Sequence, residues 1–128
     1  MTDKPEGGCT CGAVRYRLKA APMFVHCCHC TQCQRATGSA FVLNAIIETD
    51  NVEVLHGDMQ VTPGPSESGR PHDIYRCVAC HTALWSDYGR RKVMIFLRVG
   101  ALDDPAALPP DVHIFTRSKA PTPIAHSG

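Results

Sequence analysis

The stretch "GGCTCG", Gly7 to Gly12, places two cysteines one residue apart and surrounds them with glycines. Two thiolates at this spacing reach one metal ion only where the backbone turns tightly, and glycine permits such a turn. A second pair follows much later in the sequence, in "CVAC" (Cys77 to Cys80), at a spacing common in zinc sites. Together the two pairs predict a closed site of four thiolates that ties the N-terminal part of the chain to its middle.

A third set of cysteines lies in "HCCHCTQCQRATG", His26 to Gly38, where a Cys-x-Cys-x2-Cys pattern offers three ligands. A structural zinc ion takes four protein ligands, whereas a catalytic zinc ion takes three and keeps one position open. We therefore predict two zinc ions per chain, with one zinc ribbon and unused thiols as the alternative. The structural ion is expected at a four-cysteine group and the catalytic ion at a three-cysteine group: Cys9, Cys11, Cys77 and Cys80 form the first, and Cys28, Cys30 and Cys33 form the second.

Several neighbours of these cysteines could also bind metal. His26 or His29 would close the three-cysteine group as a fourth ligand, although His29, between two proposed ligands, can instead point outward. Cys27 is expected to be a small buried side chain, which is the common role of a lone cysteine. His81 is expected to be solvated.

Disulfides and redox chemistry are the competing explanations for eight cysteines. The start, "MTDKPEGG", lacks the apolar core of a signal peptide, so we expect a cytoplasmic protein, where disulfides are rare. The apolar runs "AFVLNAII" and "VMIFL" are much shorter than the ~18 residues of a membrane helix. A redox pair at Cys30 and Cys33, or at Cys77 and Cys80, normally accompanies a βαβ pattern, which the sequence does not show.

The composition argues against nucleic acid or a membrane as a partner. The net charge is +1 and aromatic residues make up 6% of the chain. Binding to nucleic acid normally needs a basic stripe or a stacking platform of aromatic side chains. We expect one domain over residues 1–128, ordered from about 5 to 117 with a flexible tail, and the sequence does not indicate an oligomeric state.

Short alternating or apolar runs between turn signals predict a mainly β fold with little helix. The turn at Gly57 and Asp58 predicts a hairpin between the runs on either side of it. "CTQCQRATG" predicts a short helix, and the segment 62–71 predicts a loop. The expected strands are "AVRYRL" (13–18), "AFVLNAII" (40–47), "VEVLH" (52–56), "MQVT" (59–62), "DIYRC" (73–77), "TALWS" (82–86), "KVMIFLRVG" (92–100) and "VHIFT" (112–116).

Four motifs resemble, in order, those of the glutathione-dependent formaldehyde-activating enzyme family, also called the centromere protein V/Gfa domain. They are "GGCTCGAVRY", "CHCTQCQRATGSAF", "YRCVACHTALW" and "PPDVHIF", and they run from Gly7 to about Phe115. The resemblance implies a β-tent fold of zinc-stapled antiparallel sheets, similar to methionine sulfoxide reductase B. It also implies the same division of the cysteines into a structural and a catalytic zinc site. The chain differs from the family at His81, where glycine is frequent, and at Thr122, where tryptophan is frequent.

The activity that the resemblance implies is a carbon–sulfur lyase reaction, in which glutathione and formaldehyde form S-hydroxymethylglutathione. A zinc ion held by three thiolates can accept a substrate thiolate as its fourth ligand, so the expected partners are a small thiol and a small aldehyde. Arg35 and Ser39 are candidates to bind a carboxylate or the developing oxyanion, or else serve as surface charge and helix cap. His29 and His113 are candidates for a general base. The rival function is a non-catalytic zinc module that binds protein or nucleic acid.

Overall fold

Ten strands and one short α-helix form the fold of the computed structural model, which describes residues 4–64, 66 and 69–114 except for the side chain of His113. Three short 3-10 turns lie at Thr49–Asn51, Val99–Ala101 and Pro105–Ala107. The strands and the helix are β1 (Glu6–Gly8), β2 (Arg15–Leu18), β3 (Phe24–Cys28), α1 (Thr31–Thr37), β4 (Val42–Glu48), β5 (Val52–His56), β6 (Met59–Pro63), β7 (His72–Cys77), β8 (Ala83–Tyr88), β9 (Met94–Arg98) and β10 (Val112–Ile114).

The strands form two sheets. The small sheet has the order β1-β2-β5, and the large sheet has the order β10-β3-β4-β9-β8-β7-β6. Neighbouring strands are antiparallel except for β10, which pairs with β3 in parallel. The predicted mainly β fold with little helix is confirmed. Among the described residues, no helix has the length and apolar character needed to cross a membrane.

The core lies on one face of the large sheet, between it and the small sheet. One row of directly paired residues crosses four strands of that face: Val25, Ala45, Leu97 and Trp85. Tyr16 of the small sheet is fully buried and meets Trp85 edge-on, with 5.7 Å between ring centroids. Because side chains alternate along a strand, the neighbours of these residues face the opposite side of the sheet. That second face carries the adjacent row of His26, Asn44 and Arg98.

The hairpin predicted at Gly57 and Asp58 is wrong. Strand β5 pairs with β2 in the small sheet, whereas β6 pairs with β7 in the large sheet. The glycine does mark a close approach, because a Cβ atom at Gly57 would lie 2.3 Å from the Ala13 carbonyl oxygen. Its φ of +102° also favours glycine. The turn therefore carries the chain from one sheet to the other.

Two strands were missed from the sequence, and one of them holds part of the three-cysteine group. Strand β3 has the sequence "FVHCC", and its last four residues are all buried. A strand that is buried on both faces loses the alternation that reveals strands in a sequence. Strand β1, "EGG", contains two glycines. A side chain does not fit at Gly7, because its Cβ atom would lie 2.6 Å from both the Ala101 carbonyl oxygen and the Tyr16 hydroxyl.

The predicted loop over 62–71 is shorter than expected, because β6 includes Thr62 and Pro63. Helix α1 forms at Thr31–Thr37, as predicted, and ends at Gly38, whose φ is +65°. The predicted flexible tail and the limit of order near residue 117 lie outside the described residues, as do Phe115 and Thr122. The single domain stays a prediction.

We expect Tyr16→Phe to leave the free energy of unfolding unchanged or to raise it. The Tyr16 hydroxyl is buried and has no hydrogen-bond partner in the described part of the chain, so removing it costs no hydrogen bond. Leu97→Ala, at another fully buried core position, is expected to cost about 2–5 kcal/mol. Urea denaturation of both variants measures the difference. A loss above about 1 kcal/mol for Tyr16→Phe would mean that the hydroxyl is hydrogen-bonded in solution.

Candidate metal centres and the adjoining cavity

The four cysteines predicted to form a closed site lie together. The sulfur atoms of Cys9, Cys11, Cys77 and Cys80 are all within 4.8 Å of one another. The first pair follows β1 in a loop that the Cys9 amide closes by donating to the Val14 carbonyl oxygen over 3.1 Å. Of the second pair, Cys77 is the last residue of β7 and Cys80 lies in the turn that follows, which the His81 amide closes by donating to the Cys77 carbonyl oxygen over 2.9 Å. The group therefore joins the small sheet to the large sheet.

The geometry of the four-cysteine group fits a tetrahedral ion. Zinc–sulfur bonds of about 2.3 Å place the sulfurs of a tetrahedron about 3.8 Å apart. The Cys11 and Cys77 sulfurs are 3.8 Å apart, and those of Cys9 and Cys11 are 3.5 Å apart. All eight cysteines are free thiols, which excludes disulfides from this structure. The group could therefore hold a metal ion.

Backbone amides and one hydroxyl donate to these sulfurs, as expected around thiolate ligands. The Val14 amide donates to the Cys9 sulfur over 3.3 Å, and the Ala79 amide to the Cys77 sulfur over 3.4 Å. The hydrogen bond between the Thr82 hydroxyl and the Cys80 sulfur, 3.1 Å long, is the main cause that lowers the pKa of Cys80 to about 5. Thr82 therefore supports the group, and no sequence signal marked it.

The three-cysteine group is also assembled, at the junction of β3 and α1. Cys28 is the last residue of β3, Cys30 is the N-cap of α1, and Cys33 lies in its first turn. The three sulfurs lie within 4.8 Å of one another, with 3.3 Å between those of Cys28 and Cys33. The Cys33 amide donates to the Cys30 sulfur over 3.2 Å. Hydrogen bonding from Cys33 is the largest cause that lowers the pKa of Cys28 to about 6.

The structure does not bring either histidine of this stretch into the three-cysteine group. The set of mutually close ligand atoms, taken over the described residues, contains the three sulfurs and no ring nitrogen of His26 or His29. His29 is buried, and its Nε2 atom lies 3.4 Å from the sulfur of the buried Cys27. His26 packs against Phe96 on the second face of the large sheet, with 5.7 Å between ring centroids.

The remaining sequence candidates lie at the surface or outside the described residues. Arg35 and Ser39 are exposed, and the Ser39 hydroxyl donates to the Phe41 carbonyl oxygen over 3.0 Å. His81 is exposed, as predicted, and its Nδ1 atom lies 3.2 Å from the Gln60 amide nitrogen. The side chain of His113 is not described. The structure thus brings the seven predicted metal ligands together in two groups, and the roles predicted for Arg35 and Ser39 stay predictions.

A cavity of about 570 Å³, a size typical of small-molecule sites, adjoins the four-cysteine group and helix α1, and its described lining residues include none of the three-cysteine group. Its wall includes Cys9 of the four-cysteine group and Ala36 and Thr37 of α1, the helix that carries two cysteines of the other group. Arg76 and Arg98 also line the cavity. Among the described residues of the wall there is no aspartate or glutamate, so the cavity favours an anionic ligand.

Arg98 was not identified from the sequence, because its position depends on the pairing of three strands. It lies opposite Asn44, which in turn lies opposite His26. The Arg98 guanidinium donates to the Asn44 side-chain oxygen over 3.0 Å. In the sequence, Arg98 is visible only as an arginine near the end of the run "KVMIFLRVG". The sequence does not show which residues lie opposite it on the neighbouring strands.

Comparisons with known proteins agree with the fold and the cysteine groups. A crystal structure of a Rhodobacter sphaeroides protein matches with a TM-score of 0.59 and 18% identity, over 84% of this chain and 98% of that protein. At that identity the likeness shows the fold. A Halomonas elongata protein that carries the provisional name glutathione-dependent formaldehyde-activating enzyme is 29% identical over 120 residues, which span 89% of this chain and 76% of that protein. The family model described as glutathione-dependent formaldehyde-activating enzyme matches residues 4–118. The chain therefore belongs to the glutathione-dependent formaldehyde-activating enzyme family.

Proposed function

We propose that this protein is a zinc-dependent carbon–sulfur lyase that adds glutathione or a similar thiol to formaldehyde or another small aldehyde. The observation that carries the proposal is the three-cysteine group, whose set of close ligand atoms contains no fourth protein ligand in the described part of the chain. A site with three protein ligands is the arrangement of catalytic zinc, whereas structural zinc has four. Family membership supports the same chemistry.

The two groups would have different tasks. The four-cysteine group has a full set of protein ligands and joins two sheets, which suits a structural zinc ion. The three-cysteine group would hold the catalytic zinc ion through Cys28, Cys30 and Cys33. A cytoplasmic location, where thiols remain reduced, fits eight free cysteines.

The reaction needs a deprotonated thiol, an oriented aldehyde and a proton for the product oxygen. Cys28, Cys30 and Cys33 would hold a zinc ion, which would lower the pKa of a substrate thiol so that the thiol is ionised near neutral pH. The substrate sulfur then attacks the carbonyl carbon, a carbon–sulfur bond forms, and the carbonyl π electrons move to oxygen. That oxygen accepts the proton which the thiol released, so no oxidant or reductant is required.

The chain's own residues orient the reactants in this proposal. The three cysteine side chains would set the position of the nucleophile, and the cavity, whose wall includes Val42 opposite Cys28 and two residues of α1, would hold the rest of the thiol. Arg35 and Ser39 remain candidates to bind a carboxylate or the oxyanion, from exposed positions after the group. His29 and His113 remain candidates for the general base.

Wild-type protein loaded with zinc should accelerate the exchange between glutathione, formaldehyde and S-hydroxymethylglutathione above the spontaneous rate. Exchange spectroscopy with ¹³C-formaldehyde measures this rate directly. Cys33→Ser should abolish the acceleration, because it removes one ligand of the open site. Cys27→Ser is the matched control, since its sulfur is buried outside the group, and it should retain the acceleration. If the zinc-loaded wild-type protein gives only the spontaneous exchange rate, the lyase proposal is wrong and the rival function, a non-catalytic zinc module, is favoured.

Removal of ligands from the two groups should have unequal effects on stability. Cys77→Ser should lose a zinc ion and unfold, because structural zinc contributes on the order of 10 kcal/mol, which is comparable to the whole stability of a domain. Cys33→Ser should lose one zinc equivalent per chain and remain folded. Elemental analysis and circular dichroism of the purified variants measure both quantities. Retention of two equivalents in both variants would contradict the division of the ligands.

A further inference from the structure

We infer that Arg98 binds a carboxylate of the thiol substrate and thereby selects thiols that carry carboxylates over neutral thiols. The inference rests on the proposed function, and it assigns a specificity-determining role to a residue of the cavity wall. The sulfur of the substrate would lie at the three-cysteine group while its carboxylate lies against the Arg98 guanidinium.

The register of the large sheet places Arg98 on the same face as the three-cysteine group. Arg98 is paired with Asn44, and Asn44 is paired with His26. Cys28 is two residues after His26 on β3, so its side chain faces the same side. None of the three cysteines is among the described lining residues of the cavity, but Val42, the cross-strand partner of Cys28, lines it together with Arg98.

The donors of Arg98 are incompletely used. One terminal nitrogen donates to Asn44, but the Nε atom is buried and has no acceptor among the described residues. A buried donor without a partner costs free energy, and a ligand acceptor would recover that cost. Two more buried polar atoms on this face lack a partner in the described part of the chain, the His26 Nδ1 and the Ser86 hydroxyl. Of these three residues, Arg98 alone is among the described residues that line the cavity, so its guanidinium is the group that a ligand there would meet.

Arg98 is distinguished from Arg76, the other arginine of the cavity. The Arg76 Nε atom donates to the Thr62 hydroxyl over 3.1 Å, and a terminal nitrogen donates to the His81 carbonyl oxygen over 3.2 Å. These bonds fix Arg76 to strand β6 and to the turn after β7. Because no carboxylate lines the described wall, the charge of Arg98 is not neutralised there. An anionic ligand group would supply that neutralisation through charge-assisted hydrogen bonds.

The test measures binding separately from turnover. S-methylglutathione has both carboxylates but a blocked sulfur, and its dimethyl ester lacks the carboxylate charges. Isothermal titration calorimetry on the zinc-loaded protein should show that the acid binds tighter than the ester. Arg98→Gln should weaken binding of the acid by about tenfold to a hundredfold, the usual value of a charge-assisted hydrogen bond, and should leave binding of the ester nearly unchanged. Arg98→Lys, which keeps the charge without the fork of donors, should give an intermediate loss.

Arg91→Gln is the matched control. It removes the same charge from an exposed position in the turn between β8 and β9, outside the cavity wall, and should leave both affinities unchanged. Zinc content and thermal unfolding establish that each variant is folded. Equal affinity of the wild-type protein for the acid and the ester would overturn the inference without any variant. An equal loss of affinity for the acid and the ester in Arg98→Gln would overturn it as well.

The outcomes separate this inference from the proposed function. Lyase activity that is as high with 2-mercaptoethanol as with 3-mercaptopropionate would contradict the role of Arg98 and support the lyase. Binding of S-methylglutathione that depends on Arg98, in a protein without exchange activity, would contradict the lyase and support the carboxylate site.

Discussion

The convergence of four sulfur atoms on one point is the constraint on which the rest of this structure depends. Two of them belong to a loop after β1, and two belong to the last residue of β7 and the turn after it; β1 and β7 lie in different sheets. Hydrogen bonds between Thr10 and Thr82 join the same two loops, with 3.0 Å between the hydroxyl oxygens. This joint holds the small sheet against the core face of the large sheet, because it lies at the end of strands from both. A short chain gains stability from such a joint, since its core alone is small.

The two faces of the large sheet carry different kinds of side chain. The face toward the small sheet is apolar, with Leu97 and Trp85 in the core. The opposite face carries histidine, asparagine and arginine in one row, together with Cys28. Adjacent residues on β3 illustrate the division, since Cys27 is buried with His29 while Cys28 joins the three-cysteine group. The alternation of a single strand thus assigns two neighbouring thiols to different roles.

The sequence predicted which cysteines lie together in each of the two groups, because the spacing of metal-binding cysteines is itself a structural constraint. Cysteines that bind one ion must be close along the chain in pairs, and such pairs are visible without a fold. The strand β3 was not predicted, because burial on both faces removed its alternation. The hairpin at Gly57 was wrong because a turn signal does not say which sheet receives the next strand. Arg98 and Thr82 could not be predicted, since their roles come from cross-strand register and from contacts between distant loops.

Helix α1 connects the three-cysteine group to the wall of the cavity. With seven residues it is far shorter than the about 12–15 residues at which isolated helices become even marginally stable in water. Its first turn is held by the Cys33 amide that donates to the Cys30 sulfur, and its last turn forms part of the cavity wall. Order in the helix is therefore coupled to the charge state and position of the sulfurs at its start. In the proposed enzyme, metal binding at the start of α1 would therefore influence the shape of the cavity at the end of α1, while the four-cysteine group would hold the two sheets together.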